Sequence, residues 1–142
     1  MGNSLDKNNI ARLKRYFSTK PEIISGYIFG SSVDKCRRKD SDIDIALFIN
    51  EESITNPLRY RINLSADLMD LVKRKVDLVI LNNANLLLRA QVFEKGNLIY
   101  EKDQNLRALF QANSMGLYYD YKRHFDFYTN HLKNKIKEAG LG

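Results

Sequence analysis

Two aspartates separated by one residue, Asp42 and Asp44, open the run Asp42-Ile43-Asp44-Ile45-Ala46-Leu47-Phe48-Ile49. The run reads as a strand. Side chains alternate along a strand, so both carboxylates share one face and Ile43, Ile45, Leu47 and Ile49 share the other. Two carboxylates side by side at the start of a buried strand repel, and burying charge without compensation costs several kcal/mol. A hard divalent cation with oxygen ligands satisfies both. Upstream of Asp42, across a gap of ten residues, an apolar run stops at Gly30-Ser31, as a short strand does on meeting a tight turn. Gly30 admits close backbone approach or a positive φ, and Ser31 supplies a hydroxyl and amides suited to an anion. A phosphate cradle beside a carboxylate-held metal is what phosphoryl or nucleotidyl transfer requires.

The elements that must position these groups follow in chain order. Ser4 can cap a helix that turns Ile10, Leu13 and Phe17 to a core and ends before Pro21. Its Lys7, Arg12, Lys14 and Arg15 read as a solvated face. The first strand is expected around Gly26 to Phe29. Between the turn and the aspartates stand Lys35, Arg37, Arg38 and Lys39; Arg37 and Arg38 are the candidates for meeting an anion. After the second strand, Asn56 caps a helix with Pro57 in its first turn, carrying Leu58, Ile62, Leu64, Ala66, Leu68, Leu71 and Val72 as an apolar face. It leads to a third strand, Val76 to Leu81, whose Asp77 reaches the face of Asp42 and Asp44 if the strands are neighbours. Ala84 to Lys95 is expected as a helix stopped by Gly96, and Asn97 to Tyr100 as a short edge strand. A long helical region follows from Gln104 to about Lys137, with a possible kink at Gly116 and a dense set of rings: Tyr118, Tyr119, Tyr121, Phe125, Phe127 and Tyr128. Packing on the sheet accounts for some of them; the remainder exceed what one helix face can bury and suggest a partner surface.

Gly30-Ser31, the gap of ten and Asp42-x-Asp44, with Asp77 on a later strand, resemble the signature of the DNA polymerase β-type nucleotidyltransferases. The small size resembles the minimal nucleotidyltransferases, in particular the antitoxins of HEPN/MNT toxin–antitoxin pairs. The resemblance spans roughly Gly30 to Leu81 and, through Tyr118-Tyr119-Asp120-Tyr121, most of the chain. It implies an α/β (α+β) fold, with a small mixed twisted sheet, helices on one face and the carboxylates on the other, and a long C-terminal helical region. It implies two Mg²⁺ held by Asp42, Asp44 and Asp77, ATP phosphates held by Gly30 and Ser31 with Arg37 and Arg38 nearby, and Asp77 as proton acceptor. The acceptor it implies is a tyrosine hydroxyl of a cognate HEPN RNase toxin, modified with AMP within a hetero-oligomer. The family's usual Gly-Ser-x-Ala-Arg-Gly departs here to Gly30-Ser31-Ser32-Val33-Asp34-Lys35, so its arginine has no counterpart. The alternatives are a small-molecule transferase of the aminoglycoside-modifying kind and a non-catalytic antitoxin that acts by binding. The HEPN RNase itself is excluded, since no Arg is followed by His at that family's spacing.

The totals are compatible with this reading. A chain of 142 residues makes one domain, with residues 104–137 as the partner-facing part. The formal charge of +6 suits a nucleotide or another polyanion, and a direct nucleic-acid partner is not expected. The single cysteine, Cys36, excludes an internal disulfide, and His124 and His131 lack ligand partners at metal spacing. No apolar run approaches the ~18 residues of a membrane span, and no signal-peptide core opens the chain, so the expected location is the cytoplasm.

Overall fold

The structure is a computed structural model that describes residues 7–29 and 42–140. Gly30, Ser31, Cys36, Arg37 and Arg38, together with the Ser4 cap, lie outside the described residues. In chain order the elements are α1 (Lys7–Ser18), β1 (Ile23–Phe29), β2 (Ile43–Ile49), α2 (Pro57–Val72), β3 (Val76–Ile80), α3 (Leu86–Lys95), β4 (Asn97–Glu101) and α4 (Gln104–Glu138). Single 3₁₀ turns at Glu51–Ser53 and Leu81–Asn83 follow β2 and β3. The sheet order is β3-β2-β1-β4. β1 pairs antiparallel with β2 and with β4, whereas β2 and β3 run parallel. A parallel neighbour demands a long crossover, and α2 supplies it. The mixed α/β architecture expected from the sequence is present, with β4 at an edge.

Local chemistry sets the boundaries. Asn56 accepts the Arg59 amide at 3.1 Å, with Pro57 at the first helical position, and Asn85 caps α3 through the Leu88 amide at 2.8 Å. The start of α3 therefore falls at Leu86, two residues later than its composition suggested. Gly96 ends α3 without adopting a left-handed conformation (φ −80°). Its requirement is space, because a Cβ there would stand 2.5 Å from the Val92 carbonyl oxygen.

One face of the sheet is sealed. Ile43, Ile45, Leu47 and Ile49 pack with Leu13 and Phe17 of α1 and with Leu64, Leu68 and Val72 of α2. The opposite face carries Tyr27, Ala46 and Val79, covered by Leu88, Val92 and Phe93 of α3 and by Phe110 of α4. Phe48 and Phe110 stack with centroids 4.1 Å apart, and the Arg89 guanidinium sits 4.9 Å from the Phe110 ring while donating to the carbonyls of Leu81 and Asn82. Helices therefore cover both faces, a correction to the expectation that they cover only the face opposite the carboxylates. Alternation puts Ala46 and Phe48 in line with Asp44, so the aspartate face has an apolar far end that also needs cover.

Two further expectations change. Leu58 and Ile62, counted into the buried face of α2, are 60% and 57% exposed, because Leu64, Leu68 and Val72 alone form the inward stripe. α4 runs through Gly116 as one helix, and none of its rings beyond Phe110 joins the described core. Tyr119, Tyr121, Phe125, Phe127 and Tyr128 are all more than half exposed. At 1.5 Å per residue, the stretch from Tyr119 to Glu138 is an arm about 30 Å long.

Candidate active site

The strand register decides which carboxylates meet. Asp44 and Asp77 are partners across the parallel β2–β3 pair. Partners in a parallel pair point to the same face from strands about 4.8 Å apart. The amide of Ile43 donates to the Lys75 carbonyl at 2.9 Å, which extends the ladder to the start of β2. Asp42, one residue before β2, lies two positions from Asp44 and so about 6.6 Å along the chain. The three aspartates singled out in the sequence thus occupy one end of one face. Asp42 and Asp77 are exposed and Asp44 is half-buried, so solvent and a hydrated ligand can reach them.

On the other side of Asp44 its partner is Phe29, the last residue of β1. The chain leaves β1 at the aspartate end, and Gly30 is the next residue in sequence. Arg37 and Arg38 fall in the same connection, outside the described residues.

The donor set is entirely carboxylate oxygen, which suits a hard cation. Among the described residues no group of three or more His, Cys, Asp or Glu forms a ready-made metal cage. His124 and His131 lie on the exposed arm of α4, far along the chain from these acids.

Sequence reasoning did not find the groups that hold the other end of the sheet, where β2 and β3 finish. Asn82 clasps Ile49 with both ends of its amide, accepting from its N–H at 3.1 Å and donating to its C=O at 2.8 Å. This side chain extends β2 as a strand would. Arg89, buried enough that its guanidinium is pushed below the usual range, ties the turn after β3 to α4 through Ser114 Oγ at 3.2 Å. An Asn just after a strand and an Arg within an otherwise apolar helix start were the available signals.

Known proteins are similar to this chain in sequence and fold. The family described as Polymerase beta, Nucleotidyltransferase matches residues 11–105. The protein adenylyltransferase MntA of Shewanella oneidensis is 31% identical over 114 residues, covering 80% of this chain and 78% of that protein. A toxin–antitoxin crystal structure with AMP-PNP contains a chain that matches at 26% identity and TM-score 0.70, covering 91% of this chain and 99% of that one. The MNT antitoxin complex with a tri-AMPylated Shewanella oneidensis HEPN toxin matches at 26% identity and TM-score 0.64, covering 89% and 94%. With two-thirds of its length matched by the family and its aspartates on neighbouring strands, this chain belongs to the polymerase β-type nucleotidyltransferases and is an enzyme of that class.

Proposed function

We propose that this protein is a Mg²⁺-dependent antitoxin adenylyltransferase, acting in the cytoplasm, that moves AMP from ATP to a tyrosine hydroxyl of a cognate HEPN-type toxin. The observation that carries the reading is the in-register pair Asp44–Asp77 with Asp42 on the same face. The named activity of the MntA relative and the AMP-PNP and AMPylated-toxin complexes of its kind support the substrate and acceptor.

Bound Mg²⁺ would draw charge from the phosphates and stabilise the transition state electrostatically. Asp42 and Asp44 would hold it, with Asp77 completing the set. Gly30 and Ser31 would seat the β- and γ-phosphates, and Arg37 and Arg38 would stand near them. In the transfer the acceptor oxygen forms a bond to the α-phosphorus, the bond from that phosphorus to the bridging oxygen breaks, and pyrophosphate leaves. Asp77 takes the hydroxyl proton, a role its exposed position on β3 allows. The arm of α4 would be the partner-binding part of the domain. Its Leu117, Tyr121, Phe125, Tyr128, Leu132 and Ile136 recur at three- and four-residue spacing, and all are exposed.

The exposed arm equally favours neutralisation by binding alone. Mixing the protein with its partner and Mg-ATP separates the two readings. Adenylylation should appear in the intact mass of the partner, and Asp42→Asn should abolish it while the complex persists on gel filtration. A partner left unmodified after long incubation, with ATP and Mg²⁺ bound, would refute the transfer. Toxin protection that survives in Asp42→Asn would establish the binding reading instead.

A further inference from the structure

β3 is an outer strand of the sheet, with no strand beyond it among the described residues. Because Lys75 accepts from Ile43, the backbone groups of Lys75, Asp77 and Val79 turn toward β2, and those of Val76, Leu78 and Ile80 turn outward. A groove follows this open edge. Two adjoining cavities of about 320 and 350 Å³ share Arg61, Asp77 and Leu78. The facing wall is α2, which offers Leu58, Ile62 and Met69, all exposed and spaced along one side of the helix. An open strand edge beside exposed apolar side chains invites strand addition. Asp77 belongs both to the groove and to the carboxylate face.

We infer that this groove seats the segment carrying the acceptor hydroxyl, added to β3 as an extended fifth strand. The inference rests on the transfer reading above. The added backbone bonds the outward groups of Val76, Leu78 and Ile80, as in other cases of strand addition. The residue opposite Asp77 then points to the face of Asp77 and Asp44, about 4.8 Å from Asp77, where its hydroxyl meets the proton acceptor. Its two neighbours point to the other face, against Leu58 and Ile62. The groove therefore selects a hydroxyl residue flanked by apolar ones, and Arg61 suits an acidic side chain farther along the segment. A second copy of this chain fits poorly, because pairing β3 with β3 about Asp77 would set like charges opposite each other.

The test uses short synthetic peptides with a central tyrosine flanked by valines or by glutamates, together with Mg-ATP and the double variant Leu58→Glu/Ile62→Glu. Both substituted positions are exposed, so the variant should keep its melting temperature. The valine-flanked peptide should show a KM about tenfold below that of the glutamate-flanked one, equivalent to burying roughly one apolar side chain. The double variant should raise that KM by about the same factor and leave the KM for ATP unchanged. Amide exchange at Leu78 and Ile80 should slow when the peptide is added. Equal KM values for both peptides and both enzymes, or unslowed β3 amides, would overturn the inference. So would a groove variant that changes the sedimentation of the protein alone, which would make the groove a contact between copies. If peptide and intact partner both remain unmodified, the transfer reading has failed, and exchange at β3 with the partner added decides the groove by itself.

Discussion

Asp44 and Ile45 are adjacent on β2 and face opposite ways. Ile45 is fully buried among α1, α2 and the neighbouring strands, whereas Asp44 is half-buried beside Asp77 at an end of the sheet that solvent reaches. The sealed face is apolar from end to end, so its burial supplies stability. The other face is graded. Its far end is closed by Phe48 on Phe110, and its near end gathers the three carboxylates where solvent reaches them. One strand thus serves the core and the chemistry by alternation alone, and the two should be separable by substituting neighbours.

The largest expected effect is on activity. Asp44→Asn and Asp77→Asn should each lower AMP transfer by about 10²–10⁴-fold, the range of a lost proton-transfer group, and a lost metal ligand can add to that. Thermal unfolding should shift far less than for a core truncation, since neither aspartate belongs to the hydrophobic core. The complementary variant on the sealed face, Ile45→Ala, should cost about 2–5 kcal/mol of stability and leave kcat of the folded fraction unchanged. Denaturant titration and single-turnover assays on both variants would decide it. If Asp44→Asn destabilises as much as Ile45→Ala does, the division between the faces is wrong. A smaller effect is expected at Gly26, whose added Cβ would lie 3.0 Å from Phe17 and 3.1 Å from Leu47. Gly26→Ala should cost about 1–3 kcal/mol by overpacking the sealed face, with transfer unaffected.

Much of this division is legible in the sequence, and the limits are physical. Period-two alternation in β2 gives the strand and both of its faces, and Asn56-Pro57 gives the start of α2, because these signals are local. The Asp-x-Asp pair is equally local. That Asp77 is the partner of Asp44 depends on parallel register, which is set by the crossover and not by any nearby residue. Cover on the aspartate face was missed because Phe110 lies some sixty positions from Phe48 in the chain. The apolar residues of α2 were read as one face, although Leu64, Leu68 and Val72 form one stripe and Leu58, Ile62 and Met69 another. A helix buries one stripe against one neighbour. Counting the stripes would have shown the second to be surface, and the same count applied to α4 would have removed its rings from the core.

The smallest expected effect sharpens the comparison at the polar rim of the sealed face. The Tyr60 hydroxyl donates to Glu22 Oε2 at 2.7 Å and the Tyr16 hydroxyl to Asp67 Oδ2 at 2.8 Å, tying α2 to β1's approach and to α1. Burial first, and then the hydrogen bond to a carboxylate, push both phenols well above their usual range. A phenol whose pKa is raised by folding holds a proton that the unfolded chain gives up near pH 10. The stabilisation is therefore complete below about pH 10 and is lost as pH rises through the folded value. Stability of the wild type should be insensitive to these groups at neutral pH and should fall under alkaline conditions. Tyr60→Phe should lower neutral-pH stability by about 0.5–1.5 kcal/mol, the worth of one hydrogen bond, and should flatten part of the alkaline decline. Tyr16→Phe should do less at neutral pH, since its bond lies at an exposed position. Tyr16→Phe should not change AMP transfer, because its phenol lies outside the groove beside β3. Unfolding curves taken across neutral and alkaline pH would check the sign. An alkaline decline as steep in the double phenylalanine variant as in the wild type would move the pH sensitivity away from these two rings.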